Sequence, residues 1–312
     1  MRVPTRTRRI ALARTAAAAA VLTVFVAGCS PEDDSTDTAT TPEVSSDETS
    51  AEATEPTEAT GALGPDCTPG TLQTLESELL TIATDQPAYE PWMVEDDPTN
   101  KQGYEAAVAY AVADTLGYDD DQVTWVRVPF NTAIQPGPKA FDFDINQFSI
   151  SEDRLQAVDF SSPYYTATQA VVATGSSPAA GATSLADLAD LTIGAQVATT
   201  SLAALSTVVD SPQVFNTNDD AKLALENGQV DAIVVDLPTA FFITAAELTD
   251  GVIVGQLPGS ANGGDEFGLL LDKDSALTDC VSAAVDLLRS DGTLDDLQAE
   301  WLADVADAPV LQ

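Results

Sequence analysis

From residue 79 onward, short apolar runs alternate with segments whose apolar residues recur every three or four positions. That alternation confines the fold more than any other feature. The runs "LLTIATD" (79–85), "VTWVRVP" (123–129), "FDFDINQFS" (141–149), "AVVAT" (170–174), "LTIGAQV" (191–197), "VDAIVVD" (230–236), "VIVGQL" (252–257) and "FGLLLD" (267–272) read as strands. Between them, "GYEAAVAYAVADTLG" sets Tyr104, Ala107, Val108, Ala111, Val112 and Leu116 at helical spacing and stops at Gly117. Further helices are expected from Ser151, from Ser184, over 199–208 and over 218–229, with Asn218 or Asp219 as the cap. Two more close the chain, split at Asp291 and Gly292. Strands alternating with helices imply an α/β fold with largely parallel sheets. Residues 67–312 are 246 residues, enough for one large or two small domains.

The N-terminal end reads as an export leader. Five arginines precede an Ala-rich apolar stretch too short to span a membrane, and "VAGC" ends it at Cys29. "VAGC" resembles a bacterial lipobox, which implies lipidation of Cys29. "TRRIAL" loosely resembles a twin-arginine signal, so the export route stays open. Residues 30–66 carry eleven acidic residues and no Lys, Arg or aromatic. Such a segment buries too little apolar surface to order itself, and as a coil it spans about 35 Å. A lipid and a spacer fit a domain tethered at the extracytoplasmic face of the cell membrane.

After Cys29 only seven basic residues face fifty acidic ones, a net charge of −43. Nucleic-acid partners are excluded, because phosphate contacts need Lys and Arg. There is no His, so the commonest imidazole base and metal ligand is missing. No metal or cofactor is implied. Cys67 and Cys280 remain as a pair in an exported chain: a disulfide is preferred, two buried thiols being the alternative.

In parallel sheets, ligands sit beyond the C-terminal strand ends. Those ends here carry Asp85, Ser149, Thr199, Thr200 and Asp236. Arg154 is the anomaly. Ser151, Glu152 and Asp153 suit the start of a helix, but a cation three residues past the cap opposes the helix dipole. The placement makes sense where an anion binds to free N–H groups, the Ser149 hydroxyl and the guanidinium together. The plainer alternative is a surface pair with Asp159 or Glu152.

Residues 141–165, "FDFDINQFSISEDRLQAVDFSSPYY", resemble the signature of family 3 of the periplasmic-type solute-binding proteins, the polar amino-acid receptors of ABC importers. "IATDQPAYEPW", "IGAQVATT", "GQVDAIVVD" and "LRSDGTLDDLQAEWL" follow the same family in collinear order over about 79–302. The resemblance implies a two-lobed clamshell. Residues 67–166 and 259–312 are expected in the first lobe and 167–258 in the second, with crossings near 165–169 and 255–262. It implies that Arg154, Ser149 and Thr200 hold a ligand α-carboxylate and that Asp236 takes the α-ammonium. Asp85 is implied near the ammonium or the side chain, Thr199 beside Thr200, and Tyr89 and Phe130 as aromatic walls, with Trp92 a further candidate beside them. The implied partners are a free amino acid and the permease and ATPase subunits of an importer. Three departures stand out: Gly103-Tyr104-Glu105 for the usual Gly-Phe-Asp, Asn146-Gln147 where small residues are common, and Ala198 where Gly is expected. A dehydratase-like enzyme or a ligand sensor on the same fold is the alternative. Carboxylates such as Glu226 or Asp236 would then do its acid–base work.

Overall fold

The computed structural model describes residues 63–259, 264–303 and 308–312. The expected leader, Cys29 and the tether as far as residue 62 lie outside the described residues. The first stretch of the fold carries β1 (Leu80–Thr84), α1 (Tyr104–Thr115), β2 (Val123–Arg127), α2 (Phe130–Ala133), β3 (Phe143–Asp144), β4 (Val158–Phe160) and β5 (Tyr165–Ala167). The second carries β6 (Gln169–Thr174), α3 (Leu185–Leu188), β7 (Ile193–Gln196), α4 (Thr200–Leu205), β8 (Gln213–Phe215), α5 (Asn218–Glu226), β9 (Ala232–Asp236), α6 (Leu237–Phe242) and β10 (Gly251–Gln256). The chain then adds β11 (Asp265–Phe267), β12 (Leu270–Asp272), α7 (Thr278–Ser290) and α8 (Thr293–Trp301).

These elements build two lobes. One sheet runs β2–β1–β3–β12–β4, the other β10–β6–β9–β7–β8. In each, four strands share a direction and one, β12 or β6, opposes them. Period-two alternation gives each sheet two apolar faces. Leu80 and Ile82 join Val108 and Val112 on one side, while Ala83 joins Phe148 and Phe160 on the other. In the second lobe Val171 and Val234 face one cluster, Val172 and Val235 the other. Helices cover these faces, which is what largely parallel sheets require. A short antiparallel ribbon, β5 with β11, joins the lobes. Entry to α1 depends on Gly103: its φ is 98°, and a Cβ there would lie 2.5 Å from the Trp92 carbonyl.

Several expectations are corrected. The strand expected over 141–149 is only Phe143–Asp144, followed by a single bridge from Ser149 to Phe267. The chain has to bend there to present Ser149. The helix expected from Ser151 is one 3-10 turn, Arg154–Gln156, although the Ser151 hydroxyl does accept from the Arg154 N–H at 3.3 Å. "FGLLLD" splits between β11 and β12. The boundary giving all of 259–312 to the first lobe fails at its end. Val310 bridges Gln256, the Leu311 N–H donates to Gln256 at 2.9 Å, and Leu311 is buried in the second lobe's core. An apolar leucine finds its burial there, so the chain crosses between lobes a third time. The expected disulfide forms: Cys67 and Cys280 are bonded with Cα atoms 5.4 Å apart. It ties the segment before β1 to α7.

Asp144 is the misfit of the first core. It is fully buried, its register partners Ala83 and Leu270 belong to the Phe130–Phe148 cluster, and neither carboxylate oxygen has a hydrogen-bond partner among the described residues. Burial pushes its acid well above the usual range, and Glu105 and Asp85 add to the rise. A carboxyl whose folded pKa is raised destabilises the fold increasingly as pH climbs past its unfolded value near 3.9. Asp144→Val is therefore expected to stabilise the protein by roughly 1–3 kcal/mol at pH 8 and by much less at pH 4. Urea denaturation at the two pH values checks this; a less stable variant at pH 8 contradicts it.

Candidate functional site

One cavity of about 460 Å³, counted out to its mouth, lies between the lobes. Asp85, Tyr89, Phe130, Asn146, Gln147, Ser149 and Arg154 line it from the first lobe. Gln196, Thr199, Thr200, Ser201, Asn218, Val235 and Asp236 line it from the second. Eight of the nine residues expected at a ligand site thus meet in one place. Trp92 does not. It is fully buried, packs on Tyr104, Tyr165 and Phe267, and donates its Nε1–H to the Thr239 hydroxyl at 2.8 Å. An indole reaches past the cleft to the hinge ribbon, and its one polar atom finds a partner on the opposite lobe.

Strand ends position the polar groups. Asp85 follows β1; its carboxylate accepts from the Phe130 N–H at 3.0 Å and the Gln86 N–H at 2.6 Å. Burial nevertheless lifts its pKa above the ordinary value. Arg127 braces the same loop from behind, bonding the Asp85 carbonyl at 2.5 Å and the Asp96 carboxylate at 2.9 Å. Tyr89 crosses the cleft to accept the Asp219 N–H at the start of α5 at 3.4 Å. Thr199 caps α4, accepting from the Leu202 N–H at 3.1 Å, which leaves the Thr200 hydroxyl to face Ser149 Oγ across the cleft at 3.0 Å.

Arg154 is the bridging cation. Its guanidinium donates to the Ser149 carbonyl at 2.6 Å in its own lobe and to the Ala198 carbonyl at 2.9 Å in the other. It lies 5.5 Å from the centre of the Phe130 ring, which stacks on Phe148. Among the described residues it forms no ion pair. Burial pulls its pKa down, while Asp265 and Asp236 oppose the change. Asp236 ends β9 and accepts from Gln169 Nε2 at 2.7 Å. Burial pushes it up to about 7, and Asp265 adds to the rise against Gln169 and Arg154. The cleft therefore sets the Arg154 cation and the Asp236 carboxylate on opposite walls, with the Asp85 carboxylate on the same side as Arg154.

Three features of the site rest on residues that depart from the family pattern. Gln147 has a left-handed backbone, φ 47°, and buried Glu105 holds it: the Gln147 N–H donates to Glu105 Oε1 at 2.7 Å, and its side chain and the Tyr164 hydroxyl bond the same carboxylate. Burial pushes Glu105 up to about 7. Ala198, whose carbonyl meets Arg154, is also left-handed at φ 63°. Gln169 and Asp265 complete the surroundings of Asp236, and sequence reasoning did not single them out as site residues. The one available signal was a polar glutamine heading an otherwise apolar strand.

The family described as bacterial extracellular solute-binding proteins, family 3, matches residues 80–304. An arginine-binding periplasmic protein of Mannheimia haemolytica is 26% identical over 70% of this chain and 89% of its own. An L-cystine-binding protein of Escherichia coli (strain K12) is 29% identical over 70% and 80%. Among solved structures, an ancestral arginine-binding protein bound to arginine is 27% identical, with a TM-score of 0.60 over 72% of this chain and 98% of that one.

The left-handed backbone at Ala198 gives a direct test of the second wall. A side chain in that conformation costs about 1–2 kcal/mol, while glycine adds unfolded-state entropy worth about 0.4–1 kcal/mol. Ala198→Gly is expected to raise stability by about 0.5–1 kcal/mol in urea denaturation. A loss of about 1 kcal/mol, the usual sign for Ala→Gly, contradicts the strain.

Proposed function

The chain belongs to family 3 of the bacterial extracellular solute-binding proteins, and from that premise we propose that it captures a free amino acid between its lobes and hands it to the permease of an ABC importer. One observation carries the reading: Arg154 and Asp236 face a single cavity from opposite lobes, and each lacks a full countercharge. A zwitterion supplies both. Its carboxylate meets Arg154 with the Ser149 and Thr200 hydroxyls, and its ammonium meets Asp236. Asp85, Tyr89 and Phe130 then border the side chain, with Thr199 holding α4 in place beside the carboxylate.

Relatives bearing the names arginine-, histidine- and L-cystine-binding protein support an amino-acid ligand. Arginine and histidine also share a basic side chain, but with L-cystine included the common element is the backbone zwitterion. The precursor of cyclohexadienyl dehydratase among the similar structures is itself described as an amino-acid-binding protein. In this reading the amino acid is bound and released unchanged, and the protein is not an enzyme. Residues 1–29 direct export, Cys29 carries the lipid, and 30–66 tether the domain to the extracytoplasmic face of the membrane.

A thermal-shift screen over the twenty amino acids and L-cystine tests the reading. A ligand at a thousand times its Kd stabilises by about 4 kcal/mol, roughly 10 °C for a domain of this size. Arg154→Ala is expected to abolish that shift while the unliganded melting temperature changes little. An undiminished shift in the variant would sink the assignment.

A further inference from the structure

Gln169 opens β6 at the point where the chain enters the second lobe, and it is 5% exposed. Its side-chain amide is fully engaged. Nε2 donates to Asp236 Oδ1 at 2.7 Å and to Asp265 Oδ2 at 3.0 Å, with Thr200 Oγ1 at 3.4 Å. Oε1 accepts from the Ser201 hydroxyl at 2.5 Å. The backbone is fixed as well: Gln169 pairs with Asp236 in register, and its carbonyl accepts the Leu257 N–H at 2.8 Å.

These partners belong to different parts of the machine. Asp236 ends β9 in the second lobe, while Asp265 opens β11, half of the ribbon between the lobes. Thr200 and Ser201 open α4, the helix facing Arg154. One neutral amide thus holds two carboxylates close together. Like charges so placed repel unless a donor intervenes. The groups facing Asp236 are Asp265, Arg154, Tyr165 and Glu105. Arg154 supplies the attraction, Asp265 the repulsion, and Gln169 a donor whose charge never changes with pH.

We propose that Gln169 is a positioning residue for amino-acid capture: its amide aims Asp236 at the ligand ammonium and ties that carboxylate, through Asp265, to the hinge. The inference rests on the proposed role of Asp236. Only ionised Asp236 attracts the ammonium, so wild-type affinity falls as pH drops below about 7. Removing the amide disfavours ionised Asp236 and moves that midpoint up. Removing the neighbouring negative charge moves it down. A residue that merely filled space would do neither.

The experiment is calorimetric titration between pH 5 and 8.5 with the full-length protein. The ligand is the amino acid, of the twenty and L-cystine, that most raises the wild-type melting temperature. Any titration of the ligand itself cancels in comparison with the wild type. Gln169→Met is expected to raise the midpoint by about one pH unit, the size of one hydrogen bond to a charged group, and to weaken binding about tenfold at pH 6. Asp265→Asn is expected to lower it. Gln169→Asn, which retracts the amide by one methylene, replaces the Met variant if that fails to fold, with the same upward shift expected. Midpoints that stay at the wild-type value, or that move in the same direction in both variants, overturn the proposal while leaving amino-acid binding intact. A wild type that binds none of these amino acids overturns the underlying reading as well.

Discussion

The cleft depends on a cation held by both lobes at once. Arg154 bonds a carbonyl on each side, Ser149 and Ala198, and has no ion-pair partner among the described residues. Neutral carbonyls orient a guanidinium without cancelling its charge. Partial burial of an unpaired cation is costly, and the site remains incomplete until an anion arrives. Asp236 poses the mirror problem on the opposite wall. In the proposed reading a single zwitterion relieves both, so ligand and closure stabilise one another.

The contacts that span the cleft are few and polar. Ser149 meets Thr200, Tyr89 meets the start of α5, and Trp92 meets Thr239. Each lobe keeps separate apolar clusters on its sheet. Separating the lobes would break these few hydrogen bonds without splitting an apolar cluster, but it would uncover the buried Trp92–Thr239 pair. A three-residue ribbon and a returning C-terminal segment connect the lobes. The third crossing by residues 308–312 had no signature in the sequence. Five residues have no periodicity to read, and the edge of the second sheet together with the burial of Leu311 decides where they dock.

Much of the architecture was legible because each sheet is buried on both faces, so its strands read as short apolar runs. The candidate site was legible for a different reason. Asp85, Ser149, Thr199, Thr200 and Asp236 all follow strands, and parallel sheets gather such ends into one crevice. Arg154 betrayed itself by sitting where the local dipole disfavours a cation. Trp92 misled, because an aromatic beside site residues in sequence need not face the same cavity. Gln169 and Asp265 stayed hidden, since their roles come from a contact 96 residues apart in sequence. The left-handed backbones at Gln147 and Ala198 were visible only as departures from a pattern that favours glycine or small residues.

The central claim is that the cleft reads a zwitterion through two opposed charges. Calorimetric titration of the bound amino acid against its carboxamide and its N-acetyl derivative tests it most directly. Losing either charge leaves a partly buried partner unpaired, at about 2–5 kcal/mol. Each derivative is therefore expected to bind at least about thirtyfold more weakly than the parent. Derivatives that bind within about threefold of the parent would contradict it.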